Sequence, residues 1–319
     1  MNKRIGFFTT GFLLFTLFSC EFLLAQTKSI CITIDDLPVV SLDPSPAQAK
    51  NITSNLLFAL RSQGVPAIGF VNEQKLLVDG KPSKELEKLL RGWEENHLEL
   101  GNHTFSHLDY NTATPEDFEK EIVKGGQFTN ELYKSKIGRI KYFRHPYLHV
   151  GNTQQKKEAL TKIVATLGYI EAPVTIDNGD YIFARAYDIA RQKNDTSIIR
   201  RIGQAYVPYM MSKVKYYETQ SIDLFGKNIS HILLMHANSI NAEFLSSLIV
   251  ALKKDGYQFV SLTEALKDPL YLTPDNFVGN AGISWIHRWA ITQGKPKNFF
   301  GDEPRIADFI LKYAGFESE

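Results

Sequence analysis

The sequence predicts an α/β fold, a parallel sheet of seven strands covered by helices, suited to a barrel smaller than the eight-stranded one. Three observations predict it. Short apolar, β-rich runs recur between Ser29 and Lys267, helical patterns fall between most of them, and acid, base and metal-ligand residue types recur where successive strands end. The chain has 319 residues, 44% of them hydrophobic and 22% charged, which suffices for one large α/β domain or two ordinary ones and excludes a disordered chain. A formal charge of +1 points neither to nucleic acid nor to an anionic membrane as partner.

The first 25 residues have the layout of a secretory signal peptide. Lys3 and Arg4 precede an apolar run from Ile5 through Ala25, with the cut expected after Ala25 and Gln26 opening the mature chain. Removing Lys3, Arg4 and Glu21 leaves the remainder near neutral. The protein is therefore expected to be exported, whether periplasmic, cell-surface or secreted. A non-cleaved membrane anchor is the bland alternative, and Leu17–Cys20 loosely matches a lipoprotein site, although Phe18 is bulky for one. A cleaved chain keeps only Cys31, which reads as a small buried hydrophobe without a disulfide.

The strands are expected at Ile30–Ile34, Ala67–Val71, Leu98–Leu100, Ile140–Phe143, Tyr169–Ile176, Ile229–Met235 and Tyr257–Val260. Helical patterns occupy Gln48–Leu60, Glu85–Glu95, Pro115–Leu132 with Pro at its start, Gln154–Leu167, Ala242–Lys253 and Thr263–Leu266. The stretch from about 182 to 228 is too long for one crossover and is expected to be a helical insertion. The organisation expected is thus a signal peptide over 1–25, a catalytic domain over 26–268 and a C-terminal extension over 269–319 packed against that domain.

Chemistry gathers at the strand ends. The first strand ends in Asp35 and Asp36, which alone would read as an ordinary turn before Pro38. The third runs into His103 and His107, the fourth into Arg144, the fifth into Asp177 and Asp180, and the sixth into His236. Parallel α/β barrels build active sites at this end of the sheet. Histidines four apart on a helical turn face the same way and can share one metal, with Asp35 or Asp36 supplying a carboxylate from a distant strand and the other left as a base. Two imidazoles and a carboxylate suit Zn2+ by ligand type, while Co2+, Ni2+ or Fe2+ would fit the same atoms. His145 and His149 flank the Arg144 motif and are read as packing or exposed residues as readily as substrate contacts. His97, His231 and His287 are assigned to structure or surface.

In this order, Thr33–Asp36 ("TIDD"), His103–His107 ("HTFSH"), Arg144–Tyr147 ("RHPY"), Asp177–Tyr181 ("DNGDY") and Leu233–His236 ("LLMH") resemble the five motifs of the polysaccharide deacetylases of carbohydrate esterase family 4. The resemblance spans roughly Ser29 to Lys267. It implies a distorted (β/α)7 barrel, with Asp36, His103 and His107 as metal ligands and Asp35 as catalytic base. Arg144 would pair with Asp35 and lower its pKa, and the Tyr147 N–H would stabilise an oxyanion. Leu234 would line the acetyl pocket, and His236 would be the general acid, tuned by Asp180 or Asp177.

The fourth motif ends in Tyr181, where many members carry Trp, and the insertion follows directly. The implied activity is metal-dependent removal of acetyl groups from an acetylated carbohydrate, N-acetyl groups of chitin-like or peptidoglycan glycans first. An acetylxylan-type O-deacetylase and a non-catalytic sugar-binding relative are the alternatives, and no obligatory protein partner is evident. Tyr206, Tyr209, Tyr216, Trp285 and Trp289 are expected either to stack on sugars or to pack the insertion and tail onto the barrel.

Overall fold

The computed structural model describes residues 28–318; the expected signal peptide and Cys20 lie outside the described residues. Seven parallel strands form the main sheet: β1 Lys28–Leu37, β2 Ala67–Val71, β3 Glu99–Asn102, β4 Lys141–Phe143, β5 Tyr169–Glu171, β6 His231–His236 and β7 Tyr257–Phe259. Their order is β5-β4-β3-β2-β1-β6, with β7 paired to the start of β1. The sheet curls until Ile176, beyond β5, bridges Leu233 of β6. The result is a curled, incompletely closed barrel of the expected α/β class.

Alternation along β1 gives the barrel its two apolar layers. Ile30, Ile32 and Ile34 face the covering helices, whereas Cys31 packs inside with Ile68, Phe70, Tyr142 and Ile232. Cys31 is fully buried, as its composition suggests. Helices α1 Pro46–Ser62, α2 Lys84–Glu95, α3 Pro115–Lys124, α4 Gln127–Leu132, α5 Gln154–Thr166 and α8 Ser239–Lys254 cover the outside. Most open on a side-chain cap, such as Ser45 for α1 and Thr114 for α3, which satisfies amides the first turn leaves free. The expected single helix over 115–132 is broken in two, because Gly125 and Gly126 interrupt it. At Gly125 a methyl group would lie 2.3 Å from the backbone carbon of Thr104, so only glycine lets α3 end this close to the histidine loop.

The insertion is two helices, α6 Asp180–Gln192 and the 30-residue α7 Thr196–Phe225. Beyond the short α9 Leu262–Ala265, the tail carries α10 Trp285–Thr292 and α11 Asp308–Ala314. It covers the seam of the barrel: the Trp285 N–H donates to the Val174 carbonyl at 2.7 Å and the Ser284 hydroxyl to that of Thr175 at 2.9 Å. Backbone groups at a sheet edge need such partners when they are buried. No helix among the described residues is long and apolar enough to cross a membrane.

Candidate metal and acid–base centre

The two carboxylates face the site together because the strand departs from regularity between them. Adjacent residues of a β-strand point to opposite faces. Here the β1–β2 register shifts between Ile34 and Leu37, and Asp36 takes a left-handed φ of 70°, a conformation aspartate tolerates better than most residues. Asp35 keeps the inward face of Cys31 and Thr33, and the irregularity turns Asp36 toward the same mouth.

His103 and His107 do not lie on a helical turn, contrary to the expectation from their spacing. They sit in the irregular segment after β3, where Thr104 and His107 both have positive φ. Side chains and not helical bonds hold this loop: Asn102 Oδ1 accepts from the Thr104 N–H at 2.8 Å, Thr104 Oγ1 from the His107 N–H at 3.0 Å, and Glu121 from the Ser106 N–H at 2.7 Å. His103 Nδ1 lies 2.8 Å from the Arg144 carbonyl oxygen. A carbonyl only accepts, so Nδ1 carries the proton and Nε2 presents its lone pair to the site.

One ligand atom each from Asp36, His103 and His107 falls within 4.8 Å of the others. The donor chemistry fits a divalent cation, with two imidazoles and one carboxylate converging. A cation is already drawn there from within the chain, since Lys75 Nζ lies 3.1 Å from Asp36 Oδ1. Burial opposes ionisation of Asp36, but Lys75 and then His107 hold its carboxyl well below the usual carboxylate range. Burial pushes both His103 and His107 below the ordinary imidazole range, which keeps them unprotonated and able to ligate.

Asp35 is a separate group. Its Oδ2 lies 3.6 Å from Arg144 Nη1 and 3.8 Å from His103 Nε2, while the buried Oδ1 has no hydrogen-bond partner. The expectation that Arg144 lowers its pKa is only half of the balance. Burial pushes Asp35 up to about 6, against the pull of Arg144 and His236. Arg144 is itself fully buried, held by Thr33 Oγ1 at 3.0 Å and lying over the Phe70 ring. That enclosure makes the guanidinium a fixed part of the barrel interior.

On β6, Ile232, Leu234 and His236 share the inward face, in register with Cys31, Thr33 and Asp35. His236 Nδ1 bonds Asp180 Oδ1 at 2.6 Å, and its backbone N–H donates to Asp180 Oδ2 at 2.8 Å. Asn238 and Asn241 also donate to that second oxygen, so Asp180 is fully buried yet fully satisfied. Burial would lower the His236 pKa, but Asp180 overrides it and raises it to about 9. Asp177 does not make this contact. It accepts from the Asn178 N–H, and burial holds it at about 6 against the pull of Lys213, on the other side of the chain's bend into α6.

Tyr147 has a left-handed φ of 56° and an exposed ring set edge-on to His107, with centroids 4.4 Å apart. Leu234 is buried beside His236 in the strand. Tyr181 flanks the other side of the site, its exposed ring 6.3 Å from that of His236. It also lines a cavity of about 940 Å³ with Asp177, Lys213, Glu303 and Arg305, in which the tail forms one wall.

The aromatics considered for sugar stacking lie elsewhere: Tyr206, Tyr209, Tyr216, Trp285 and Trp289 are all buried, which leaves them as packing between insertion, tail and barrel. His145 pairs with Glu171 at 2.5 Å under Trp285, and His149 with Asp109 at 2.7 Å. Lys75 escaped the sequence reading. Its signal was the carboxyl end of the second strand, where "NEQK" follows Val71 as the other motifs follow their strands.

Residues 25–169 match the sequence model of the family described as polysaccharide deacetylase. Solved structures similar to this chain include the chitin deacetylase from the fungal pathogen Colletotrichum lindemuthianum, 20% identical, covering 76% of this chain and 89% of that one at a TM-score of 0.49. A family 4 carbohydrate esterase from Bacillus anthracis is 20% identical over 76% of this chain and 83% of its own, at 0.47. A family pseudoenzyme from Bacillus anthracis is 16% identical over 76% and 66%, at 0.46. At this level of similarity none of them decides which residues act.

Proposed function

We propose that this chain, which belongs to the polysaccharide deacetylase family, is an exported, metal-dependent hydrolase that removes N-acetyl groups from a glycan of the chitin or peptidoglycan class. The observation that carries the reading is the pairing of two protonation states. A buried carboxyl with a free oxygen, at about 6, faces the same mouth as an imidazole held at about 9, beside a convergent three-ligand cluster. Between those values Asp35 is ionised and His236 protonated, the pair of states that base and acid require.

Asp36, His103 and His107 would hold the metal, with zinc favoured by ligand type. Bound there, a divalent cation supplies Lewis-acid polarisation of the acetyl carbonyl and acidifies the attacking water. Asp35 Oδ1 takes the proton of that water, with Arg144 holding the carboxylate in place. His236 hands its Nε2 proton to the leaving nitrogen, while Asp180 keeps the ring oriented and charged. The Tyr147 N–H donates to the developing oxyanion, and Leu234 forms the apolar floor for the acetyl methyl. An amine leaves poorly without a proton, so the acid matters more for an amide than for an ester.

Residues 26–268 form the catalytic region in this reading, with the insertion and tail shaping the glycan groove. The charged cavity beside Tyr181 favours recognition through polar contacts. Removal of O-acetyl groups from xylan is the second substrate class. A purely sugar-binding relative would be expected to lack the base, a ligand or the acid, and this chain retains a residue for each. Acetate release from N-acetylglucosamine oligomers and acetylated xylan, with added zinc or cobalt, tests the proposal. No release from any of them by protein shown to carry metal would overturn it.

A further inference from the structure

Lys75 occupies a place that the acid–base scheme does not use. Its ammonium lies 3.1 Å from Asp36 Oδ1 and donates to the Asp36 main-chain carbonyl oxygen at 3.1 Å, so it holds this residue of the three-ligand cluster at two points, one on the carboxylate and one on the backbone. The residue sits on the 3-10 turn Glu73–Leu76, and that turn is stitched to both ligand segments. The Asn72 N–H donates to the Leu37 carbonyl at 3.1 Å, Asn72 Nδ2 to that of His103 at 2.5 Å, and the Gln74 N–H to that of Phe105 at 2.9 Å. Glu73 anchors the turn from below, accepting from the Phe128 and Thr129 N–H groups at 2.8 Å each. These contacts fix the main chain of the turn and with it the position from which the Lys75 side chain reaches Asp36.

We propose that Lys75 is an internal competitor for Asp36 that weakens the hold of this site on its divalent metal and so keeps the metal exchangeable. The inference rests on the metal assignment made above. Asp36 does not depend on the ammonium for its orientation, because the register shift of β1 and its left-handed backbone already set it. What Lys75 adds is positive charge. Two cations sharing one carboxylate repel each other, and a site this enclosed screens that repulsion less than bulk water does. Its side chain is 30% exposed, which leaves it a route toward solvent when a second cation draws on Asp36.

The experiment is a chelator-competition titration of the full protein with Zn2+ and, separately, Co2+, comparing wild type with Lys75→Met and Lys75→Arg. Methionine keeps an unbranched stem without the charge, and arginine keeps the charge in another shape. Thermal melts with chelator present check that both variants fold. The expected result is metal bound at least tenfold tighter by Lys75→Met, with Lys75→Arg close to wild type. Equal or weaker binding by Lys75→Met would overturn the proposal, since it would make Lys75 a bystander or a support for Asp36. Tightening by both variants would also overturn it, since Lys75→Arg keeps the charge and charge would then not be the cause. Absence of stoichiometric metal from all three proteins would remove this inference together with the metal assignment. Equal affinities would remove the inference alone.

Discussion

Asp35 and His236 stand opposite each other in the parallel ladder between β1 and β6, one register step above Ile34 and Met235. Partners in a parallel ladder point to the same face, so the buried carboxyl and the imidazole open into one mouth. The same strand geometry places Asp180 behind His236 and Arg144 behind Asp35. Each of these two side chains thus has a supporting charge on its far side.

Removing the support of His236 should move the alkaline side of the pH profile. Asp180→Asn is expected to shift the upper limb of kcat/KM from about 9 toward the ordinary histidine value of 6.5. Linkage gives a second readout. A histidine whose folded pKa is raised contributes stability that is complete below about 6.5 and lost as pH rises through about 9, so the variant should lose that pH dependence in denaturant melts. It should also be less stable at neutral pH by about 3–5 kcal/mol, because two asparagine amides are left facing a group that no longer carries charge. An unchanged upper limb in a folded variant would take His236 out of the acid role.

Asp35→Asn should lower kcat by about 10²–10⁴-fold while metal content, read by elemental analysis, stays unchanged. In the wild-type protein the acid limb of the rate profile is expected at or below about 6, since burial raises Asp35 to that value and a cation on neighbouring Asp36 favours the carboxylate. The sign for stability is the reverse of the usual aspartate case. The folded state holds the Asp35 proton more tightly than the unfolded chain, so this group's contribution declines as pH rises from 3.8 through about 6.

Metal should stabilise the fold, because its ligands come from two strand ends that unfolding separates. At a free concentration of 100 times Kd the gain is about 2.7 kcal/mol, visible as a rise in Tm that a chelator reverses. His103 and His107 are held below the ordinary histidine range, so the rise should persist at pH 6. It should largely vanish in His107→Gln.

Gly282 lets the tail touch the loop that carries Tyr147. A methyl group there would lie 1.7 Å from the Tyr147 carbonyl oxygen. Gly282→Ala should therefore displace the Tyr147 peptide and lower kcat about tenfold or more, with metal affinity unaltered. Loss of metal along with activity would show a wider disturbance.

Trp289 is 1% exposed and packs on Phe225 and Tyr271. Trp289→Ala is expected to cost about 3–5 kcal/mol of stability, measured in urea, with KM unchanged at a temperature where the variant remains folded. A selective rise in KM would restore a sugar-contact role to this residue.

The alternation of apolar runs and helical patterns was enough to place all seven strands in chain order, because buried parallel strands must be apolar and their crossovers must carry one apolar face. The residue types of the centre were legible too, from Asp35 through His236, since each stands just past the end of such a run. Only the tertiary structure decided which of them meet. Asp177 and Asp180 are near-equivalent in sequence, and the start of α6 buries one against His236 while turning the other toward Lys213. The spacing of His103 and His107 suggested a helix, yet a loop held by Asn102, Thr104 and Glu121 brings them together. The pKa of Asp35 depends on how deeply the barrel encloses it, and Lys75 reaches Asp36 across 39 positions of chain. Burial and contacts between distant segments are properties of the packed fold, and no local pattern of residues encodes them.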